Sequence, residues 1–161
     1  MLSFMRRTKA ALESVSDLKA HIGFWMRLVS NHVSHAFARK VLASGVTLAE
    51  WVVLREMYGR ADMSPSKVAD CTGMTRGAAS KLIDRLVAKK LIAREERADD
   101  RRYQDIALTA AGTRLVPTLA ALADQNDREF FSPLTKVERQ VLLATLKKLV
   151  QAHRLHQPPI E

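Results

Sequence analysis

Apolar residues recur at three- and four-residue intervals over most of this chain, the spacing that builds one buried face of an α-helix. The longest such stretch covers residues 15–42 and predicts one long helix. A second stretch covers residues 48–58 behind Thr47 and Glu50, which have the spacing of a capping box. A mostly helical protein is therefore predicted.

Two short helices joined by a glycine-bearing turn are predicted next. Ser64 is a helix cap followed by proline, and the helix that it opens covers about residues 65–71. Gly73 breaks the chain, and Thr75 then caps a helix over residues 76–89. This arrangement is typical of a helix-turn-helix.

A β-hairpin is predicted where the helical spacing stops, after Leu91. Residues 91–95 and 104–108 carry apolar side chains at partly alternating positions, and residues 97–102 between them are mostly charged. Both segments have weak strand propensity. The hairpin prediction therefore depends on their position directly behind the helix-turn-helix.

The last third of the chain predicts two more helices. Thr109 caps the first, and a second capping box at residues 135–138 opens the other, which runs to about His153. These helices carry apolar stripes, as does the first long helix. The stripes fit either a dimer interface or the core of a monomer, and the pattern alone does not separate the two.

Charge indicates the kind of partner. The 161 residues include 26 Lys and Arg against 17 Asp and Glu, a formal net charge of +9. Such an excess favours an anionic partner, which is nucleic acid, an acidic protein or a membrane surface. No apolar run approaches the roughly 18 residues of a membrane span, so we expect no membrane partner. A single cysteine, Cys71, excludes an internal disulfide and suits a reducing cytoplasm.

The helix predicted over residues 76–89 has one apolar and one polar face. A helix that enters the major groove of DNA needs this division, with small side chains where the DNA approaches and polar groups that reach base edges. Gly77 and Ser80 are the small residues, and Arg76 and Lys81 flank them. An ordinary amphipathic helix with a solvated basic face has the same pattern.

The predicted hairpin tip favours the DNA-binding interpretation. Arg101 and Arg102 lie at the tip, where an arginine can enter an adjacent minor groove and its focused negative potential. Asp100 is a candidate support that holds such a side chain in one rotamer. A solvated charged turn is the alternative, but the helix and the tip in this order are more specific than either alone.

Over residues 45–112 the sequence resembles the MarR family of bacterial regulators. The resemblance rests on the segments GVTLAEWVVL, SPSKVADCTGMTRGAASKLIDRLVAKKLIAREE and DDRRYQDIALTAAG. In the last segment, Asp100 and Arg102 precede Leu108 and Thr109 at the family's wing spacing. With the flanking helices, the resemblance extends to residues 18–150.

The resemblance implies a mainly α (α+β) fold, a winged helix-turn-helix with a two-stranded β-wing flanked by N- and C-terminal dimerisation helices. It also implies a homodimer on double-stranded DNA, with a recognition helix in each major groove and Arg102 of the wing in each minor groove. We therefore expect five parts: a flexible segment at residues 1–14, a dimerisation helix at 15–45, a DNA-binding lobe at 46–109, dimerisation helices at 110–155 and a tail at 156–161.

The pattern and the resemblance together indicate the site residues. The expected DNA contacts are Ser64, Ser66, Thr75, Arg76, Gly77, Ser80, Lys81, Arg85, Arg101 and Arg102, with Asp100 supporting the wing. The family binds aromatic carboxylates or phenols between the dimer helices and the DNA-binding lobe. The residues that suit such an effector here are Trp25, His35, Trp51 and Arg55, although the favoured interpretation of both tryptophans is as core aromatics.

The sequence thus predicts a DNA-binding transcriptional regulator and not an enzyme. We expect a cytoplasmic, nucleoid-associated bacterial homodimer that represses from a palindromic operator and is released by a small aromatic or phenolic effector. A winged-helix protein-interaction module without DNA sequence specificity is the alternative. A repair enzyme using Cys71 is disfavoured, because no histidine, phosphate-binding loop or carboxylate pair accompanies it. No cofactor or metal ion is expected, since the spacing of His32 and His35 is not diagnostic of zinc.

Two features depart from the family pattern. Lys90 follows the recognition helix where the family commonly has glycine, and a left-handed conformation there would cost on the order of 1 kcal/mol. Residues 1–14 have no clear counterpart in the family. Arg6, Arg7 and Lys9 in this segment are candidate phosphate contacts, but a disordered tail is the favoured interpretation.

Overall fold

The computed structural model describes residues 15–96 and 104–155. This part of the chain contains a 3₁₀ turn, six α-helices and two β-strands. They are the turn Leu18–Ala20, α1 (Ile22–Leu42), α2 (Leu48–Met57), α3 (Pro65–Thr72), α4 (Arg76–Ala88), β1 (Ile92–Glu96), β2 (Gln104–Leu108), α5 (Ala110–Phe130) and α6 (Lys136–Ala152). The predicted fold class is confirmed, and the bounds of α2, α3, α4 and both strands agree with the sequence to within a residue.

The helix caps that the sequence indicated are present. At α2, the Thr47 hydroxyl accepts the N–H of Glu50, and the Glu50 carboxylate accepts the N–H of Thr47. Thr135 and Glu138 form the same reciprocal pair at α6. The single-residue caps of the intervening helices are Ser64, Thr75 and Thr109. Local side-chain chemistry therefore sets where these helices begin.

The first helix begins later than the apolar spacing predicts. The Asp17 carboxylate accepts the N–H of Lys19 at 3.0 Å and caps the 3₁₀ turn Leu18–Ala20. His21 then has extended backbone, with φ −92° and ψ 127°, which separates the turn from Ile22 and the helix proper. A prediction of one helix from residue 15 was wrong, because apolar spacing does not reveal an aspartate that caps a shorter turn.

Two compact units meet within α1, between His35 and Ala36. In the unit that ends at His35, the apolar side chains of α1 are largely exposed, and Ile22 is 76% exposed. The Trp25 indole N–H donates to the Lys19 carbonyl at 2.8 Å, and its ring meets Phe24 edge-on. The described residues of this unit, 15–35, form the 3₁₀ turn and the first part of α1 and bury little apolar surface.

The unit that begins at Ala36 contains the hydrophobic core. Side chains from the end of α1, from α2 to α5 and from both strands meet in it. The largest fully buried apolar members are Val41, Val46, Val53, Leu54, Val68, Ile83, Leu86, Ile92, Val116 and Leu119. This core fixes α3 and α4 against α2, which leaves the outward side of α4 free to contact a partner.

The two strands form an antiparallel hairpin ladder, in register from Ile92 opposite Leu108 to Glu96 opposite Gln104. Met63 adds an isolated bridge to Ile106, whose N–H donates to the Met63 carbonyl at 2.8 Å. Since Met63 directly precedes the cap of α3, the bridge ties the wing to the helix-turn-helix. A one-residue bridge has no periodicity, and sequence reasoning missed it. None of the described helices combines the length and the apolar character needed to span a membrane.

Helix α4 ends in a Schellman motif centred on Lys90. The N–H of Lys90 donates to Val87 and that of Leu91 donates to Leu86, at 2.8 Å and 2.9 Å, which satisfies two terminal carbonyls of α4. Lys90 has φ +59°, which is the left-handed conformation. This conformation was considered for Lys90 because the family commonly has glycine at the same position. The motif therefore forms with a lysine where glycine is preferred.

Replacing Lys90 with glycine is expected to raise the free energy of unfolding by up to about 1 kcal/mol, because glycine has no Cβ to strain a left-handed backbone. Urea denaturation measures the change. Lys90→Ala is the matched control, since it removes the same side chain but keeps the Cβ. An equal gain in both variants would show that the lysine side chain, and not its backbone conformation, is unfavourable.

Candidate nucleic-acid interface

Helix α4 divides into the two faces that its sequence predicts. Its buried side chains are Ala79, Leu82, Ile83 and Leu86, which pack into the core. Its exposed polar and glycine residues are Arg76, Gly77, Lys81, Asp84 and Arg85, with Ser80 half-buried between them, and Ala78 and Ala88 are exposed as well. The outward face is thus polar along its length and carries its smallest residue in the first turn.

The N-terminal ends of α3 and α4 each present a capping hydroxyl. The Thr75 oxygen accepts the N–H of Ala78 at 3.2 Å, and the Ser64 oxygen accepts the N–H of Lys67 at 3.3 Å. An accepting hydroxyl keeps its own hydrogen, so it can still donate to a phosphate oxygen. Ser66 is exposed in the first turn of α3. Both helix ends also offer the positive pole of the helix dipole to an anion.

The exposed face of α4 is positively charged. No carboxylate in the described part of the chain forms an ion pair with Arg76, Lys81 or Arg85. The one acidic residue on this face, Asp84, is paired with Arg94 of β1. The cationic groups of Arg76, Lys81 and Arg85 are therefore available to an anionic partner. The Asp84–Arg94 ion pair joins α4 to the first strand of the hairpin.

The predicted hairpin tip lies outside the described residues. Arg101 and Arg102 belong to it, as does their predicted support Asp100. The ladder of β1 and β2 is described on both sides of the tip, so the strands of a wing directly follow α4. The arrangement of helix, turn, helix and wing is that of a winged helix-turn-helix.

Known proteins match both the sequence and this geometry. A MarR family profile matches residues 44–102. A putative transcriptional regulatory protein for the hcr operon of Thauera aromatica is 26% identical over 134 residues, which cover 83% of this chain and 81% of that protein. Among solved structures, Bordetella bronchiseptica BpsR is 26% identical and has a TM-score of 0.74, with 84% of this chain and 98% of that chain covered. The chain is thus similar to the MarR family over its central residues.

A solved complex of another protein has the same fold. S. aureus MepR bound to DNA has a TM-score of 0.72 and 23% identity, over 82% of this chain and 98% of that chain. Together with the regulators named above, these similarities support a DNA-binding transcriptional regulator and not an enzyme. Helix α4 occupies the position of the recognition helix.

A part-buried ion pair holds the C-terminal end of helix α4. The Lys89 ammonium donates to Glu50 Oε2 at 2.7 Å and to the Gly45 carbonyl at 2.8 Å. Burial raises the pKa of Glu50, but the hydrogen bonds from Lys89 and from the N–H of Thr47 outweigh burial and hold this pKa below its ordinary value of 4.5. Sequence reasoning assigned Glu50 to the capping box alone, since Lys89 is distant along the chain.

The lowered pKa of Glu50 makes the fold sensitive to acid. Its contribution to stability is complete above the unfolded pKa near 4.5 and is lost as the pH falls through the lower folded pKa. We expect the free energy of unfolding to fall below about pH 4.5, and to fall less steeply in Glu50→Gln. Urea denaturation between about pH 3 and pH 6 measures both slopes. Parallel slopes in the two proteins would contradict this role.

The four residues predicted to contact an effector have different surroundings. Trp51 is buried, and its ring meets Phe37 edge-on with centroids 6.1 Å apart, which places it in the core. Arg55 is exposed on α2, and His35 and Trp25 are exposed in the first unit. The effector pocket stays a prediction for these residues.

Cys71 is half-buried at the end of α3. One Arg60 guanidinium nitrogen donates to its sulfur at 3.3 Å, and another pairs with the Glu56 carboxylate at 2.9 Å. The arginine contact was not predicted, because Arg60 lies in the loop after α2. Among the described residues, no group of three His, Cys, Asp or Glu side chains could hold a metal ion.

Proposed function

We propose that this protein binds a palindromic operator as a homodimer and represses transcription by blocking access to a promoter. The observation that carries the proposal is the exposed face of α4, where Arg76, Lys81 and Arg85 have no ion-pair partner among the described residues. Such a face on a helix-turn-helix suits the major groove of double-stranded DNA. We place the protein on the nucleoid, in the bacterial cytoplasm.

Base contacts in this proposal come from the first turns of α4. Gly77 lets the helix approach the groove closely, and Arg76, Ser80 and Lys81 reach base edges around it. Phosphate contacts come from Arg85 and from the hydroxyls at the helix N-termini, which fix the register of the protein on the duplex. The hydroxyl residues are Ser64, Ser66 and Thr75.

Exposed apolar surface supports the homodimer. Helix α6 has no buried residue in the described chain, although it carries seven large apolar side chains, of which Leu146 is 38% exposed. With the end of α5 it lines an open apolar groove of about 350 Å³ next to Phe131. A soluble chain rarely exposes so continuous an apolar face without a partner. A second copy would bring two recognition helices onto one duplex, where successive major grooves are about 34–36 Å apart.

The wing arginine is expected to add minor-groove binding. Arg102→Ala should weaken binding to a palindromic duplex at least several-fold and reduce the dependence of affinity on salt, because one cation leaves the interface. Fluorescence anisotropy at several salt concentrations measures both. Lys148→Gln, which removes one charge from α6, is the control. An affinity and salt slope equal to those of the control would exclude Arg102 from the interface.

We propose a small aromatic or phenolic effector that releases the DNA. In the solved relative BpsR, 6-hydroxynicotinic acid regulates DNA binding, and this compound is a hydroxylated aromatic carboxylate. Trp25, His35, Trp51 and Arg55 are the proposed contacts. A ligand that prefers a different separation of the two recognition helices lowers DNA affinity in proportion to that preference.

A gel shift with genomic fragments tests the proposed function against a protein-interaction module. The expected result is retention of a few fragments, competed by the same duplex and not by an equal mass of unrelated DNA. A module that binds only proteins would retain none at low salt. Equal retention of every fragment would show charge-driven binding without sequence specificity, which contradicts the proposal.

A further inference from the structure

We propose that Lys89 is a positioning residue that sets the angle of the recognition helix α4 relative to the end of the dimerisation helix α1. The inference rests on the proposed function, since the angle matters only if two copies of α4 must meet two grooves at once. It assigns Lys89 no contact with DNA.

The contacts of Lys89 join three parts of the lobe. This residue is the C-terminal cap of α4, and its ammonium donates both to the Gly45 carbonyl, in the turn that ends α1, and to Glu50, in the first turn of α2. We call Gly45, Glu50 and Lys89 the clamp. Through it, the end of the recognition helix contacts the connection to α1 directly.

The charge of Glu50 is more than its capping role requires. The capping box at α2 needs only an oxygen that accepts the Thr47 N–H, which a glutamine amide supplies equally. Glu50 is nevertheless a carboxylate that is 1% exposed, and it is the only buried charged residue in the described chain. An isolated buried carboxylate is costly, so the Glu50 carboxylate requires the Lys89 ammonium beside it.

The clamp lies at the end of α4 away from the proposed base contacts. With a rise of 1.5 Å per residue, about 20 Å separate Lys89 from Arg76 along the axis. A rotation of about 10° at the clamp would therefore move the first turn by about 3 Å, close to the 3.4 Å rise of one base pair. The pair Asp84–Arg94 contacts the wing and not α1, so it does not replace the clamp.

The test uses an operator selected from random DNA, with its half-sites kept constant and their spacing varied one base pair at a time. The main variant is Glu50→Gln/Lys89→Met, which removes both charges together and leaves no unpaired buried ion. Lys89→Gln, a milder variant that keeps one donor, is the second test should the double variant not fold. Lys40→Met/Glu129→Gln is the control, because it removes an ion pair that joins α1 to α5 and does not involve α4.

The wild type and the control should prefer one spacing over its neighbours by about tenfold or more. Loss of the clamp should reduce this ratio to about threefold or less and leave the base preference within each half-site unchanged. A uniform loss of affinity at all spacings, or an unchanged ratio, would overturn the positioning role. If the wild type itself shows no preferred spacing, the proposed binding of a homodimer to two half-sites is wrong, and the positioning role of the clamp is wrong with it.

Discussion

Replacing Gly112 with alanine is expected to lower the free energy of unfolding by at least about 2 kcal/mol. A Cβ at this position would lie 2.2 Å from the Leu91 carbonyl oxygen, far inside van der Waals contact. That oxygen belongs to the backbone and accepts the N–H of Thr109 at 3.0 Å, while the Thr109 hydroxyl donates to the Lys90 carbonyl at 2.8 Å. The clash therefore cannot be relieved by a side-chain rotation and must separate α5 from the turn after α4.

Thermal and urea denaturation measure this effect, and Gly77→Ala is the matched control. A Cβ on Gly77 meets nothing within 4 Å, so the same change there should leave stability equal or raise it by up to about 1 kcal/mol. Because Gly77 faces the proposed groove, this control should also weaken operator binding. Equal stability of Gly112→Ala and the wild type would show that α5 does not approach Leu91 as closely as described.

Leu146→Asp is expected to convert the protein to a monomer and to lower operator affinity at least about a hundredfold. Leu146 is exposed within one chain, so the change should leave the fold of the monomer intact. In the proposed dimer the same side chain is buried, where an unpaired carboxylate is strongly disfavoured. A monomer holds one recognition helix and loses the contacts of the second half-site.

Light scattering gives the mass in solution, and anisotropy with an operator duplex gives the affinity. Lys148→Gln also lowers the net charge by one, but it lies almost opposite Leu146 around α6, so it should stay dimeric. Circular dichroism checks that both variants keep their helices. A dimeric Leu146→Asp with wild-type affinity would place the interface elsewhere.

Features of the fold that depend on local chemistry could be predicted from the sequence. Ser64, Thr75 and Thr109 cap helices because each hydroxyl lies three residues before the N–H that it accepts. The apolar spacing likewise gave the buried face of α4. By contrast, the bridge from Met63 to Ile106 joins segments far apart in the chain, and no periodic pattern marks it.

Part of the candidate site could also be predicted from the sequence, because it depends on the local spacing of residues along one helix. Successive residues of an α-helix are rotated by about 100° around its axis, so the sequence predicts which side chains of α4 face outward. The structure confirms the two faces. The clamp was missed because the spacing of Glu50 and Thr47 already explained the carboxylate, and only the fold brings Lys89 to it. The roles of Arg101 and Arg102 at the wing tip stay predictions, since they lie outside the described residues.

Selection of bound sequences from a random duplex library tests the central claim most directly. The account predicts enrichment of a two-fold-symmetric site whose half-site centres are about 10–10.5 base pairs apart, or a multiple of that distance. The complex should contain two 18.0 kDa chains per duplex. Recovery of no common sequence, or of an asymmetric site bound by one chain, would contradict it.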